Sequence, residues 1–171
     1  SQLTQDDLLI CLISGGGSAL MTAPRIPLED MQTLTSALLA CGARIDEINT
    51  IRRSLDRVKG EGLARATKAK IISLILSDVI GNPLEAIASG PTFPNPTTNA
   101  DALKILQKYK IDEQVSKSIL QTLESDSLLS ENWKQASRLQ SVAQNIIIGD
   151  NKLAAQAALE QAQHEGFTAE I

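Results

Sequence analysis

The sequence contains one histidine, His164, and two cysteines, Cys11 and Cys41. Zinc sites in proteins are built from several histidine, cysteine or carboxylate ligands, so a lone histidine without a cysteine cluster argues against a zinc protein. Cys11 lies inside an apolar segment and Cys41 lies near the predicted end of a helix. We therefore interpret both as small buried residues in a reducing compartment, rather than as a disulfide, a metal pair or a nucleophile.

Long apolar runs and an excess of basic residues are also missing. No run approaches the roughly 18 to 20 apolar residues of a membrane-spanning helix, and the residues up to Asp7 are acidic, unlike a signal peptide. The net charge of −4 and the isoelectric point near 5.0 give no general attraction to nucleic acid or to an anionic membrane. The composition therefore predicts a cytoplasmic protein in which local groups hold any anionic ligand.

The overall composition fits one globular domain. The 171 residues are 43% hydrophobic and 21% charged, which is typical of a single soluble domain. The sequence has no initiating Met, enters its first strand almost at once, and ends in residues 166–171, which resemble the beginning of another strand. We expect residues 1–171 to form a single α/β domain that is a fragment of a longer protein.

One stretch near the beginning organises the rest of the chain. Residues 8–13 are all apolar and predict a strand buried on both faces, and they are followed by Ser14, three glycines and Ser18. Consecutive glycines are costly to order, so a loop whose bare N–H groups bind an anion, phosphate or carboxylate, is the favoured use. A G-x-G-x-x-G frame beginning at Gly15 ends on Leu20, and no Gly-Lys-Ser/Thr is present. Both standard nucleotide-binding motifs are therefore absent.

Further periodic segments predict the remaining elements. Helices are predicted at 18–21, 28–39, 45–58, 62–66, 99–108, 112–123 and 152–164, and strands at 70–76 and 141–148. Asp46 and Asn99 are the candidate N-caps of two helices, and Trp133 is interpreted as a packing anchor. Apolar strands separated by helices predict a mostly parallel sheet with helices on both faces. The fold class is therefore α/β, a three-layer α/β/α sandwich of Rossmann-like type.

The candidate catalytic and binding residues lie in two regions. They follow the second predicted strand, or they lie in and just after the third predicted helix. Asp78 directly follows the strand, at the edge where parallel sheets bind ligands, and either caps a turn or holds Mg²⁺ or accepts a hydroxyl proton. Arg52 and the arginines near it either bind an anion or form a solvated face. Lys59 lies between a helix end and glycines, so its amine can project over a loop. Residues 89–92, Ser-Gly-Pro-Thr, are either a second polar contact surface or an ordinary loop.

Five short motifs occur together in a fixed order: LISGGGSAL at 12–20, EINTIR at 47–52, KG at 59–60, SDVIG at 77–81 and IASGPT at 87–92. In this order and spacing the chain resembles the class II glycerate 2-kinases, the MOFRL-associated family. The resemblance implies phosphoryl transfer from ATP to the 2-hydroxyl of D-glycerate, with Mg²⁺. It also implies that the chain is the central part of such an enzyme, without its N-terminal Gly-Lys-Ala segment and its C-terminal MOFRL domain.

The chain departs from that family at three motif positions. Ser54, Glu61 and Asn82 stand where the family usually has histidine, glycine and aspartate. These departures favour an alternative, a non-catalytic α/β domain that binds a small phosphorylated or carboxylated ligand. A dehydrogenase of the hydroxypyruvate reductase type is disfavoured because the dinucleotide fingerprint is absent.

The residues and the resemblance together assign roles for phosphoryl transfer, which depends on positioning and charge neutralisation. The glycine loop is assigned to an anionic group of ATP or glycerate, two cations to charge stabilisation, and Asp78 to Mg²⁺ or to the attacking hydroxyl. The predicted catalytic residues are Asp78, Lys59 and Arg52, and the predicted ligand-binding residues are Ser14, Gly15, Gly16, Gly17, Ser18, Asn49, Ser77, Ser89, Gly90 and Thr92.

Overall fold

A computed structural model describes residues 3–125 and 143–171 of the chain. The predicted anchor Trp133 and the first two residues of the predicted third strand lie outside these ranges. A 3₁₀ turn spans Ile87–Ser89. The strands are β1 (Leu8–Ser14), β2 (Lys70–Leu76) and β3 (Ala143–Gly149), and the helices are α1 (Gly17–Leu20), α2 (Leu28–Ala40), α3 (Ile45–Ser54), α4 (Gly62–Arg65), α5 (Asn99–Lys108), α6 (Lys117–Ser125) and α7 (Asn151–His164).

The three strands form a parallel sheet in the order β1-β2-β3. Pairing between β1 and β2 runs from Leu8 opposite Lys70 to Ser14 opposite Leu76. The register between β2 and β3 shifts at Leu76, which pairs with Gly149. The predicted α/β class and parallel sheet are therefore confirmed, and the carboxyl ends of all three strands meet at one edge.

One face of this sheet is buried and the other is not. On the buried face, Cys11 and Ile13 pack with Ile71 and Ile75 of β2 and with Ile87 of the 3₁₀ turn. The prediction that residues 8–13 are buried on both faces is wrong. Alternate residues point to the opposite face, where the described residues leave apolar side chains exposed: Ile10 is 57% exposed and Leu12 is 79% exposed.

A second core lies among the helices. It joins α2, α3, α5 and α6 through fully buried aliphatic side chains, among them Leu34, Ile51, Leu106, Ile119 and Leu123. These residues recur at the helical spacing read from the sequence. Burying them against one another stabilises the helices far more than intrinsic propensity does. Among the described helices, none is long and apolar enough to cross a bilayer.

The third helix begins and ends at residues other than those predicted. The N-cap of α3 is Arg44 rather than Asp46, and the Arg44 N–H donates to the Glu47 carboxylate at 3.0 Å. The helix ends at Ser54 rather than continuing to 58. The carboxylate of Asp56 accepts hydrogen bonds from the N–H of Val58 at 2.9 Å and from Thr22 Oγ1 at 2.5 Å. These contacts turn the chain toward the loop before α2.

Two later helix beginnings also differ from the prediction. The N-cap of α5 is Thr98 rather than Asn99, because Thr98 Oγ1 accepts the Asp101 N–H at 3.2 Å. Helix α6 begins at Lys117 rather than at 112. The intervening residues form a turn in which the Gln114 N–H donates to the Ile111 carbonyl at 3.0 Å. Local hydrogen bonds of this kind compete with the helix and set its first residue.

Candidate functional site

The glycine loop and Asp78 lie against each other at the carboxyl edge of the sheet. Ser14 pairs with Leu76 at the ends of β1 and β2, so the residues that follow each strand are neighbours. A Cβ atom at Gly15 would lie 1.8 Å from Oδ1 of Asp78. No side chain can occupy that space while the carboxylate stays in place. The structure thus brings together the two features that the sequence singles out most strongly.

The next two glycines are not required by backbone conformation or by packing. Gly16 has an ordinary φ of −61°, and Gly17 is also outside the left-handed region. A Cβ on Gly16 would meet nothing within 4 Å, and one on Gly17 would only touch Ala88 at 3.8 Å. Their N–H groups donate to no backbone carbonyl among the described residues. Two adjacent unpaired N–H groups in an open loop are suited to binding an anion.

Lys59 is tied to the same loop. Its ammonium donates to the carbonyl oxygens of Ser18 at 2.6 Å and Met21 at 2.8 Å, and the residue is only 2% exposed. Burial lowers the pKa of Lys59, and the nearby charge of Arg52 lowers it further, whereas Asp56 opposes the shift. An ammonium has three donors. Two of them stabilise the end of α1, which leaves one for any other acceptor.

A strained turn supports the loop and Lys59 from below. Ala88 and Ser89 have φ angles of 49° and 64°, in the left-handed region that is costly for residues with a side chain. The turn persists because the Ser89 carbonyl accepts the Gly60 N–H at 2.8 Å and its hydroxyl shares a 2.7 Å hydrogen bond with Ser18. Gly90, another predicted ligand-binding residue, follows with a φ of 60°. The conformation of residues 88–90 therefore fixes the position of the Lys59 segment.

Two other predicted ligand-binding residues use their hydroxyls within the protein. Thr92 is buried, accepts a hydrogen bond from Ser73 of β2 at 2.8 Å and donates to Asn145 of β3 at 2.7 Å. Ser77 is buried as well, and its hydroxyl donates to the Val79 carbonyl at 3.2 Å. Thr92 thus ties the chain to two strands, and Ser77 shapes the turn that carries Asp78.

Arg52, Asn49 and Ser14 complete the predicted set. Arg52 is half-buried on α3, and its guanidinium makes no hydrogen bond or ion pair within the described part of the chain. Asn49, also half-buried, lies one turn earlier on the same helix, and Ser14 is exposed at the end of β1. The structure places Arg52 close enough to act on the Lys59 pKa. It does not bring Asn49 into contact with the glycine loop through any hydrogen bond.

The carboxylate of Asp78 is the candidate metal ligand. It is exposed and accepts no hydrogen bond from the described residues, whereas the backbone carbonyl of Asp78 accepts one from Asn151 Nδ2 at 3.1 Å. Within residues 3–125 and 143–171, no three His, Cys, Asp or Glu side chains converge to hold a metal ion. Mg²⁺ in phosphoryl-transfer sites takes one or two carboxylates and completes its shell with substrate phosphates and water. The Asp78 carboxylate fits that kind of site and not an all-protein cage.

A second carboxylate, which is not among the predicted site residues, lies at the same edge. Asp150 follows β3 as Asp78 follows β2, and its Oδ2 accepts a 2.7 Å hydrogen bond from Asn82. Its Oδ1 accepts the N–H of Leu153 at 2.8 Å, and these two contacts, the backbone one first, lower the pKa of Asp150. The rule that singled out Asp78, a carboxylate directly after an apolar strand, would have found Asp150 as well.

The chain is similar to glycerate kinases over nearly its whole length. The family model described as "Domain of unknown function (DUF4147)" matches residues 1–124. A glycerate kinase of Rattus norvegicus is 46% identical over 173 residues, which cover 99% of this chain and 32% of the relative. A D-glycerate 2-kinase of Thermotoga maritima is 43% identical over 175 residues, which cover 99% of this chain and 39% of the relative. The chain thus spans between a third and two fifths of these relatives.

Solved structures agree with these similarities. The crystal structure of a glycerate kinase of Thermotoga maritima superposes with a TM-score of 0.81 at 42% identity, covering 99% of this chain and 39% of that one. A crystal structure of a protein of Pyrococcus horikoshii gives a TM-score of 0.79 at 39% identity, covering 98% and 38%. The predicted fold class and the resemblance to glycerate 2-kinases are confirmed.

Proposed function

The chain belongs to the DUF4147 family, and from that premise we propose that it carries part of the active site of a kinase that transfers a phosphoryl group from ATP to the 2-hydroxyl of D-glycerate. Relatives that are 43% identical or more over almost all of the chain are named glycerate kinase or D-glycerate 2-kinase. The proposal covers the whole protein, of which residues 1–171 would be one α/β domain. We include in it a cytoplasmic location, which rests on the composition alone.

One observation supports this proposal most directly. The free N–H groups of Gly16 and Gly17 and the exposed carboxylate of Asp78 occupy one edge of the sheet, with Gly15 packed against that carboxylate. Phosphoryl transfer proceeds mainly by positioning the reactants and neutralising charge, and it needs little covalent chemistry from the protein. The reaction therefore requires N–H groups that bind an anion. It also requires a carboxylate that accepts a hydroxyl proton or binds a cation.

Each part has a physical role in this reaction. The N–H groups of the loop donate to an anionic oxygen of ATP or glycerate, as at other helix-initiating loops. Arg52 has its guanidinium free of described partners, so it can neutralise charge that develops on the transferred phosphoryl group. Lys59 holds the loop in place through Ser18 and Met21 and retains one donor for an acceptor above the loop.

Asp78 has two compatible roles. Its carboxylate either accepts the proton of the attacking 2-hydroxyl or contributes one ligand to Mg²⁺, whose remaining ligands come from phosphates and water. When bound, Mg²⁺ would neutralise phosphate charge. The geometry supports both roles, because the carboxylate is exposed at the sheet edge and is held from one side by Gly15.

The test is turnover by the full-length protein. ADP release is followed by a coupled assay with ATP, Mg²⁺ and D-glycerate, with L-glycerate as the matched control substrate, and the product is identified by phosphorus NMR. We expect D-glycerate-dependent ADP release and formation of 2-phosphoglycerate.

The alternative is a non-catalytic domain that binds a phosphorylated or carboxylated ligand, favoured by the departures at Ser54, Glu61 and Asn82. Calorimetry with D-glycerate and with a non-hydrolysable ATP analogue separates the two. Binding of both ligands without ADP release would overturn the kinase proposal and support the binding domain.

A further inference from the structure

A polar cavity lies beside the Lys59 segment, and its lining includes neither the glycine loop nor Arg52 nor Asp78. Its volume is about 470 Å³, and it lies between the C-terminal end of α3, the beginning of α4 and the N-terminal end of α5. Lys59 and Gly60 line it on one side. The Lys59 ammonium itself is engaged with the loop after β1, so this segment contacts both the loop and the cavity.

Positive charge predominates in the lining of the cavity. Its cationic lining residues are Arg25, Arg53, Arg57, Lys59 and Arg65, against two carboxylates, Asp56 and Glu61.

Both carboxylates are already engaged within the protein. Asp56 accepts hydrogen bonds from Thr22 at 2.5 Å and from the N–H groups of Ala23 and Val58, and Glu61 forms an ion pair with Arg65. The cavity therefore has a surplus of positive charge and no free carboxylate among its lining residues.

Arg53 is buried, and no described residue forms an ion pair with it. It is 9% exposed, and its terminal nitrogens donate to three neutral oxygens: the Glu85 carbonyl and the hydroxyls of Thr50 and Thr97, each at 3.3 Å. Its Nε has no hydrogen-bond partner within residues 3–125 and 143–171. Burial lowers the pKa of Arg53, and only the more distant charge of Glu85 opposes this. A buried guanidinium is strongly destabilising unless an anion compensates it.

Ser54 gives a second, independent indication. It is 4% exposed and lines the same cavity, and no group in the described part of the chain forms a hydrogen bond with its Oγ. A buried donor left unsatisfied costs about 1–3 kcal/mol, so native proteins rarely keep one without a ligand or water. Thr98 and Asn99, at the N-terminal end of α5, lie on the opposite wall and add the positive end of a ten-residue helix.

From these contacts we infer that the cavity binds an oxyanion, a phosphate or carboxylate group, through the guanidinium of Arg53 and the hydroxyl of Ser54. A planar guanidinium forms two parallel hydrogen bonds to such a group, which a lysine cannot do. The inference does not depend on phosphoryl transfer.

The test is calorimetric titration of the full-length protein with inorganic phosphate at constant ionic strength. A hydrogen bond to a charged group contributes about 1.5–3 kcal/mol, so Arg53→Met is expected to weaken binding at least about tenfold. Ser54→Ala is expected to weaken it by a smaller factor. The matched control is Arg44→Met, because Arg44 is exposed and lies outside the cavity. The phosphate affinity of this variant should equal that of the wild type.

Competition identifies the source of the oxyanion. If D-glycerate displaces phosphate, the group is a substrate carboxylate; if an ATP analogue displaces it, the group belongs to the nucleotide; if neither does, a separate phosphorylated ligand binds here. All three results support the inference.

If Arg53→Met does not fold, the variant Arg57→Ala replaces it. This substitution removes an exposed side chain from the cavity wall and is also expected to weaken phosphate binding. Absence of phosphate binding, or affinities unchanged in these variants, would overturn the inference.

Discussion

A side chain at position 15 would disturb the candidate site more directly than one at position 16 or 17. The Cα of Gly15 faces the Asp78 carboxylate so closely that a Cβ would overlap it, whereas Gly16 has open space at the same position. In the sequence the three glycines are indistinguishable. The structure separates them: Gly15 is required by packing, and the other two leave room for a ligand.

The substitution Gly15→Ala is expected to destabilise the protein by about 1 kcal/mol, at the lower end for overpacking, because the exposed Asp78 side chain can rotate away. Gly16→Ala, the matched control, should unfold at the wild-type temperature. In the double variant Gly15→Ala/Asp78→Ala the overlap is gone, so the two effects should not add. Thermal unfolding of the wild type, Gly15→Ala, Gly16→Ala, Asp78→Ala and the double variant checks this, and additive effects of Gly15→Ala and Asp78→Ala would show that the contact is not the cause.

Asn82 departs from the family motif, and the structure shows which residue its side chain contacts. Its amide donates to Asp150 at 2.7 Å, so an aspartate here would place two carboxylates in contact. Two adjacent carboxylates either share a proton or bind a cation. Asparagine replaces that arrangement with one neutral hydrogen bond.

We therefore predict that Asn82→Asp lowers the midpoint of thermal unfolding at pH 7, and that added Mg²⁺ restores it. Asn82→Ala serves as the control, since it removes the hydrogen bond without adding charge, and Mg²⁺ should leave its midpoint unchanged. Equal responses of the two variants to Mg²⁺ would refute the carboxylate pair.

At the level of secondary-structure elements, Glu47 links α3 to α5. Its carboxylate accepts hydrogen bonds from Lys108 Nζ at 2.6 Å and Tyr109 Oη at 2.7 Å, and from the N–H of Arg44. These contacts, led by Lys108, lower the pKa of Glu47 from its ordinary value of 4.5 to about 2. The ion pair thus spans the same interface as the buried leucines and isoleucines of the helical core.

A lowered pKa makes the contribution of Glu47 dependent on pH. The stabilisation is fully present above the unfolded-state pKa near 4.5 and is lost as the pH falls toward 2. Glu47→Gln should therefore destabilise the protein at pH 7 and have little effect near pH 2. Urea unfolding across this range measures the difference, with the exposed Glu113→Gln as control. A Glu47→Gln effect that is the same at both pH values would contradict this account.

The elements themselves were largely predictable, and their ends were not. The apolar runs of β1 and β2 and the periodicity of α5 predict those elements to within a residue. The end of α3 depends on Asp56, whose carboxylate binds backbone N–H groups and Thr22, 34 positions away in the chain. Such a contact has no local signature, because it exists only once distant segments have come together.

The candidate site was only partly predictable, because some of its features follow from strand order and others depend on contacts between distant elements. Asp78 and the glycine loop follow apolar strands, and parallel pairing brings the ends of such strands together. The hydrogen bonds of Lys59 to Ser18 and Met21, and of Thr92 to Asn145, could not be predicted from the sequence. They join elements that are distant in the chain. The orphaned polar atoms of Arg53 and Ser54 also depend on packing around α3 that the sequence does not display.

At the scale of the whole molecule, the described residues bury one face of the sheet and expose the other. Leu12 and Ile10 of β1 and Ile146 and Ile148 of β3 are all exposed. The relatives are more than twice as long as the chain, which covers 32% to 39% of them. Both proposed ligand sites lie outside this exposed face, at the sheet edge and among α3, α4 and α5.

The proposed function gives Asp78 a role on the reacting groups at the sheet edge. The measurement is the rate of D-glycerate-dependent ADP release from the full-length protein carrying Asp78→Asn, which keeps the side-chain shape against Gly15. We expect kcat to fall by about 100-fold or more with an unchanged unfolding temperature, while Asp46→Asn, at an exposed carboxylate on α3, keeps the wild-type rate. An Asp78→Asn protein that turns over at the wild-type rate would contradict the account.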